Sequence, residues 1–234
     1  MDYKSKQLLQ RLFQAIKKDN TLNRCKELDY FLALWRGKFE RIKTYPHIGP
    51  ESIQTLNETE NDQFFMYEFD LLGFTCSFDF NVRYIWELFK NHKDAFDKIF
   101  FVNKNDKLIS NGIQCWHNHL PDEELKEVKS YKDLDNVFVV DMPLDTPVYV
   151  VVDGNHRICS QIHEKAQYIG AYLVNDSIAG LSLVDPFQSL LFFFLKDIQN
   201  LKKILASGSF VDLRLYLYVY SSDLLLETII KRYG

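Results

Sequence analysis

Apolar residues at helical spacing open the chain. Leu8, Leu9, Leu12, Phe13 and Ile16 recur every three or four positions, and a second run beginning near Asn20 or Thr21 sets Leu22, Cys25, Leu28, Leu32 and Trp35 on one stripe. The two runs predict a helical hairpin that ends somewhere in 37–45. Pro46, Gly49 and Pro50 then break the pattern, and the polar "NETEND" at 57–62 reads as a loop. A boundary here gives a helical segment over 1–44 and an α/β domain over 45–234.

The period changes after the loop. "FFMYEFDLLGFTCSFDF" at 64–80 is aromatic and β-prone with Gly73 at its middle, which predicts two strands or one bent strand. Asn81 has the character of a helix cap, and Ile85, Leu88, Phe89, Phe96 and Ile99 follow at helical intervals. "LPDEELKEVK" predicts a short helix with Pro121 near its start. Two β-rich runs, Val137–Val140 and Val148–Val152, flank a proline-bearing turn. A helix of about a dozen residues comes next, stopped by Gly170, and then a strand at Ala171–Val174.

Asp185 and Pro186 supply the cap and first position of a helix reaching about Ala206. In "FVDLRLYLYVY" the alternation of Leu213, Leu215, Leu217 and Val219 with polar and aromatic residues predicts a strand, followed by a final helix from Ser222. The order of elements predicts an α/β or α+β fold. Its parts are a mixed sheet, an N-terminal helical hairpin and a C-terminal helix–strand–helix.

Composition narrows the picture only at three points. Apolar residues at 47% and charged residues at 26% of 234 are those of an ordinary globular chain. Net charge is −4, with no overall attraction to nucleic acid or anionic lipid, yet residues 1–50 hold 11 Lys or Arg against 5 Asp or Glu. That basic N-terminal segment is either a solvated face or a contact for an acidic protein partner. The cysteines at 25, 76, 115 and 159 lack the spacing of a disulfide framework or a thiolate zinc site, and no stretch has the length of a signal peptide or a membrane span. A reducing cytoplasm is the expected setting.

Chemistry concentrates at the β-run that ends in "DGNHR". A strand passing through a glycine into a helix start gathers free backbone N–H groups, and the helix dipole adds partial positive charge. Gly154 allows a tight turn, Arg157 suits a phosphate or carboxylate through two hydrogen bonds, His156 suits proton transfer near neutral pH, and Asp153 suits orienting either cation or holding a metal. Asp-Gly-Asn is also ordinary turn chemistry, and Arg157 would then do no more than pair with a carboxylate.

The stretch "VYVVVDGNHRICSQIHEKAQYIGAYLV" resembles the core motif of the ParB/sulfiredoxin-like superfamily over about 137–174. In that superfamily a strand delivers a Gly-x-x-Arg or Gly-x-His-Arg turn to a helix start that binds nucleotide phosphate. The resemblance implies a nucleotide- or phosphate-binding protein with ATP or CTP, and magnesium, as cofactors. Gly154, Asn155, His156 and Arg157 are the implied binding residues, and His156 and Asp153 the implied catalytic ones. The implied reaction class is phosphoryl transfer or nucleotide hydrolysis. A non-catalytic immunity or regulatory protein, or a ParB-like nuclease, stays open as an alternative. Sulfiredoxins carry cysteine where this chain has Asn155, which removes the thiol their chemistry needs. The partition proteins continue into a helix-turn-helix domain, and the C-terminal third here has no basic recognition helix.

Four other groupings carry potential chemistry. Cys115, His117 and His119 alternate, but their spacing matches no familiar zinc site, so no metal ligands are assigned. Cys159 and His163 share a helix face and read as packing before they read as a nucleophile pair. Glu68, Asp70 and Asp79 read as acids on a solvent-facing strand surface in preference to a base or magnesium site, and Tyr216, Tyr218 and Tyr220 form an aromatic strip without enough basic charge around it for nucleic acid. His47 lies in a predicted loop with no evident partner.

Overall fold

The computed structural model describes residues 3–42, 64–102, 113–114, 137–143, 149–155, 157–158, 161 and 168–207. Among them lie five α-helices and two sheets, the mixed α/β class that the order of elements predicts. The chain divides into two compact units.

One unit takes in α1 (Tyr3–Lys18), α2 (Leu28–Arg41), the 66–79 part of a β-hairpin and the long α5 (Pro186–Ser207). The helical hairpin is present, but α2 starts later than the stripe predicts. Asp19 Oδ1 accepts hydrogen bonds from the Thr21 and Leu22 amides, which holds 22–24 in a 3₁₀ turn ahead of α2. Leu22, Cys25, Leu28, Leu32 and Trp35 are all buried nonetheless.

Phe194 on α5 is the centre of this unit's core. Its ring lies 5.4 Å from Phe13, 5.2 Å from Trp35 and 5.9 Å from Phe39, mostly edge-on or tilted. Asp185 caps α5 as predicted, its Oδ1 accepting from the Phe187 and Gln188 amides with Pro186 in the first turn. Among the described residues no helix is long and apolar enough to cross a membrane.

The hairpin consists of β1 (Phe64–Leu71) and β2 (Phe74–Asn81) around a two-residue turn in which Leu72 and Gly73 both have positive φ. Glu68 and Asp70 are exposed as expected of outward acids. Asp79 is not: it is 3% exposed and hydrogen-bonded through both its amide and its carboxyl to Gln188 in the first turn of α5.

The other unit is a five-stranded sheet ordered β3-β7-β5-β6-β4, with β3 (Asp97–Val102), β4 (Ile113–Gln114), β5 (Phe138–Asp141), β6 (Tyr149–Asp153) and β7 (Tyr168–Val174). β3 runs antiparallel to β7, β7 parallel to β5, β5 antiparallel to β6 and β6 parallel to β4. Two short-range expectations are corrected here. Phe96 and Ile99 do not continue the helix α3 (Val82–Asn91), which ends in a 3₁₀ turn; Ile99 belongs to β3, whose Ile99 and Phe101 turn inward while Lys98 and Phe100 turn out. Gly170 does not stop a helix but lies inside β7, opposite Phe100, whose ring covers the place of its missing side chain.

Both faces of this sheet are packed. On one, Phe138 meets Trp86, Phe89 and Phe96 with ring centroids 4.9, 5.0 and 5.8 Å apart. On the other, Val137, Val139, Val151, Ile158, Ile169, Ala171 and Phe101 form a buried, mostly aliphatic cluster. Asn81 caps α3 as the sequence predicts, accepting from the Tyr84 amide, and α4 (Asp176–Ser182) follows β7.

The helix predicted from Pro121 and the strand and helix predicted beyond 208 lie outside the described residues. So do the groupings of Cys115, His117 and His119, of Cys159 and His163, and of Tyr216, Tyr218 and Tyr220, together with His47 and His156.

Candidate functional site

The "DGNHR" stretch stands where the sequence predicts, at the end of β6. Its geometry begins with an irregularity in the strand. Val139 pairs with Val151, but the next residue of β5, Phe138, pairs with Asp153, so Val152 is an extra residue in a β-bulge. Side chains alternate along a strand, and an unbroken β6 would send Asp153 to the Val151 face. The bulge turns it to the face of Phe138 and Trp86 instead.

There the Trp86 indole Nε1 donates a 2.9 Å hydrogen bond to Asp153 Oδ2. The same oxygen accepts from Arg157 Nη2 at 2.8 Å, an ion pair reaching back one helical turn. The pair is well shielded, with the Arg157 side chain 14% and the Asp153 side chain 23% exposed. Trp86 itself is fixed by edge-on contacts with Phe89 and Phe138.

Gly154 has φ +91°, a conformation that side-chain-bearing residues seldom take. A Cβ built there would stand 3.0 Å from Val137 Cγ2, 3.1 Å from Val137 Cα and 3.2 Å from Arg157 Nε. Glycine is therefore required both by the turn and by the close approach of β6's end to Val137. A helical turn opens at Asn155, with the Ile158 amide donating to the Gly154 carbonyl at 3.0 Å, and Ile158 drops into the aliphatic cluster. The Asn155 amide Nδ2 reaches the Val151 carbonyl at 3.4 Å.

The structure thus brings Asp153, Gly154, Asn155 and Arg157 together at one turn. Trp86 was not visible as part of this group, since it lies 67 residues from Asp153 along the chain. The one sequence signal is generic: a half-buried indole N–H needs an acceptor, and a nearby carboxylate is a good one.

Asp153 Oδ2 already accepts two N–H donors, and a cation bound at that oxygen would have to displace them. Among the described residues no group of three or more His, Cys, Asp or Glu is placed to hold a metal ion. The described cysteines are free thiols. Burial pushes Cys76 up to about 11, with the Asp70 charge adding to the effect, and burial raises Cys25 as well, so neither is a ready nucleophile at neutral pH.

No protein-family model, no curated protein and no solved structure matches this chain.

Proposed function

We propose that the protein binds a phosphate-bearing ligand, with a nucleotide such as ATP or CTP the leading candidate, at the turn between β6 and the helix opening at Asn155. The supporting observation is the orientation of Arg157. Asp153 and Trp86 fix its guanidinium beside the first turn of a helix, at the end of a strand that reaches it through a positive-φ glycine. A side chain held before the ligand arrives loses less entropy on binding. The resemblance of "DGNHR" to the ParB/sulfiredoxin-like turn points the same way, and it makes phosphoryl transfer or nucleotide hydrolysis the reaction class, with His156 as the proton carrier.

A second reading is favoured by the same ion pair. A guanidinium already matched by a carboxylate needs no ligand, and the trio is then a lock that joins α3, β6 and the following helix. The protein would on that reading be a non-catalytic interaction partner, and its basic N-terminal helices the contact. α1 carries exposed Lys4, Lys6, Arg11, Lys17 and Lys18 and no acid, although Lys17 is paired with Asp29 at 2.6 Å.

Thermal unfolding with ATP, CTP and pyrophosphate, each with and without magnesium, separates the two. Ligand at a hundred times its Kd adds about 2.7 kcal/mol, or roughly 5–10 °C for a chain of this size. Phosphate binding predicts a shift of that order for one of these ligands and its loss in Arg157→Ala. The lock predicts no shift from any of them, and the same unfolding temperature with and without ligand in both proteins. A divalent-dependent cut of DNA or RNA that disappears in His156→Ala would replace both readings with a nuclease.

A further inference from the structure

Outside that turn, the most unusual chemical group among the described residues is the buried carboxyl of Asp79, at the end of β2. Its backbone and side chain are both tied to α5. The Asp79 amide donates to Gln188 Oε1 at 2.9 Å, Gln188 Nε2 donates to Asp79 Oδ2 at 2.6 Å, and the Val184 amide donates to the Asp79 carbonyl at 3.0 Å. Ser77 adds a longer bond to Oδ2 at 3.3 Å. The other carboxyl oxygen, Oδ1, is buried, and no group among the described residues donates to it.

We propose that Asp79 is a proton-operated latch, whose neutral carboxyl fastens the end of β2 to the start of α5 and whose ionisation loosens that attachment. A full negative charge on a buried carboxyl with one oxygen bare is costly, whereas the neutral acid keeps the Gln188 bond and carries only a dipole. The start of α5 would ordinarily welcome an anion, but that position is taken: Asp185 already accepts the Phe187 and Gln188 amides. Among the described residues, the charged groups acting on Asp79 from neighbouring elements are Asp185 before α5 and Glu68 on β1, both of its own sign. Burial lifts its pKa above the ordinary 3.8, the bonds from Gln188 and Ser77 oppose the rise, and Asp185 and Glu68 reinforce it.

The direction of the pH effect follows from linkage. A carboxyl whose pKa is raised in the fold contributes stability that is complete below 3.8 and is lost as pH climbs through the raised value. Between those two points the latched state holds a proton that the open state has released. Its population then falls by up to about tenfold per pH unit.

The test is amide hydrogen exchange on the full chain, read at Val184, whose N–H is part of the latch. In the wild type the protection factor of Val184 should fall with pH across that window, while in Asp79→Asn, which mimics the neutral acid, it should stay level. Identical profiles in the two proteins would overturn the latch. If Asp79→Asn does not fold, the wild type suffices: the Asp79 carboxyl carbon and the Val184 amide protection must share one midpoint above 3.8. A carboxyl midpoint at or below that value, or protection that ignores it, would equally overturn the proposal.

Discussion

One oxygen, Oδ2 of Asp153, accepts from both Trp86 and Arg157, so the three side chains depend on each other. Asp153→Ala removes the oxygen that Arg157 and the Trp86 indole N–H share, and we expect it to cost about 3 kcal/mol. Trp86→Phe keeps the ring contacts with Phe89 and Phe138 but removes one donor to a charged group, for a loss of about 1.5–3 kcal/mol. Gly154→Ala combines a disfavoured φ with contact against Val137 Cγ2 at 3.0 Å and should cost at least about 2 kcal/mol. Urea denaturation of the three variants measures all of these. Asp153, Gly154 and Arg157 were legible in the sequence because turn chemistry and a helix start announce themselves within five residues. The direction in which Asp153 points was not. It is set by the bulge at Val152, which exists only in the pairing of β6 with β5, and no local pattern in "YVVVD" encodes that pairing.

Elements with a strong cap or an unbroken period were predicted where they occur: α1, the hairpin of β1 and β2, α3 from Asn81, and α5 from Asp185 and Pro186. Those that failed did so where two periods fit one stretch. Phe96 and Ile99 continue the helical spacing of α3, but His92 has left helical geometry, and Ile99 and Phe101 satisfy strand alternation against β7. Gly170 looks like a helix stop until its cross-strand partner Phe100 is known. The hairpin turn carries a local conflict of another kind. Leu72 has φ +53° and is 42% exposed, so its backbone sits in a conformation disfavoured for leucine without the side chain being buried in return. Leu72→Asn, which tolerates that conformation, should stabilise the chain by about 1 kcal/mol, measurable as a rise in Tm of about 2–4 °C. An unchanged or lower Tm would mean that the leucine makes contacts of greater worth than its strain.

At the scale of the whole molecule, each of the two units has its own core, one gathered on Phe194 and the other on the two faces of the five-stranded sheet. Charge is divided along the chain as well, since the positive surplus of 1–50 leaves −10 on the rest. Overall charge therefore says little about ligands, and the anion-binding site we propose is one built locally, from backbone N–H groups and one oriented guanidinium. The most direct test of such a site is the Trp86 indole resonance, because its N–H shares an acceptor with Arg157. Titrating ATP, CTP or pyrophosphate into the nitrogen-15-labelled protein should move that resonance saturably, and the movement should vanish in Arg157→Ala. If the Trp86 resonance stays fixed while each of these ligands is carried to millimolar concentration, no phosphate engages Arg157 and the binding account is contradicted.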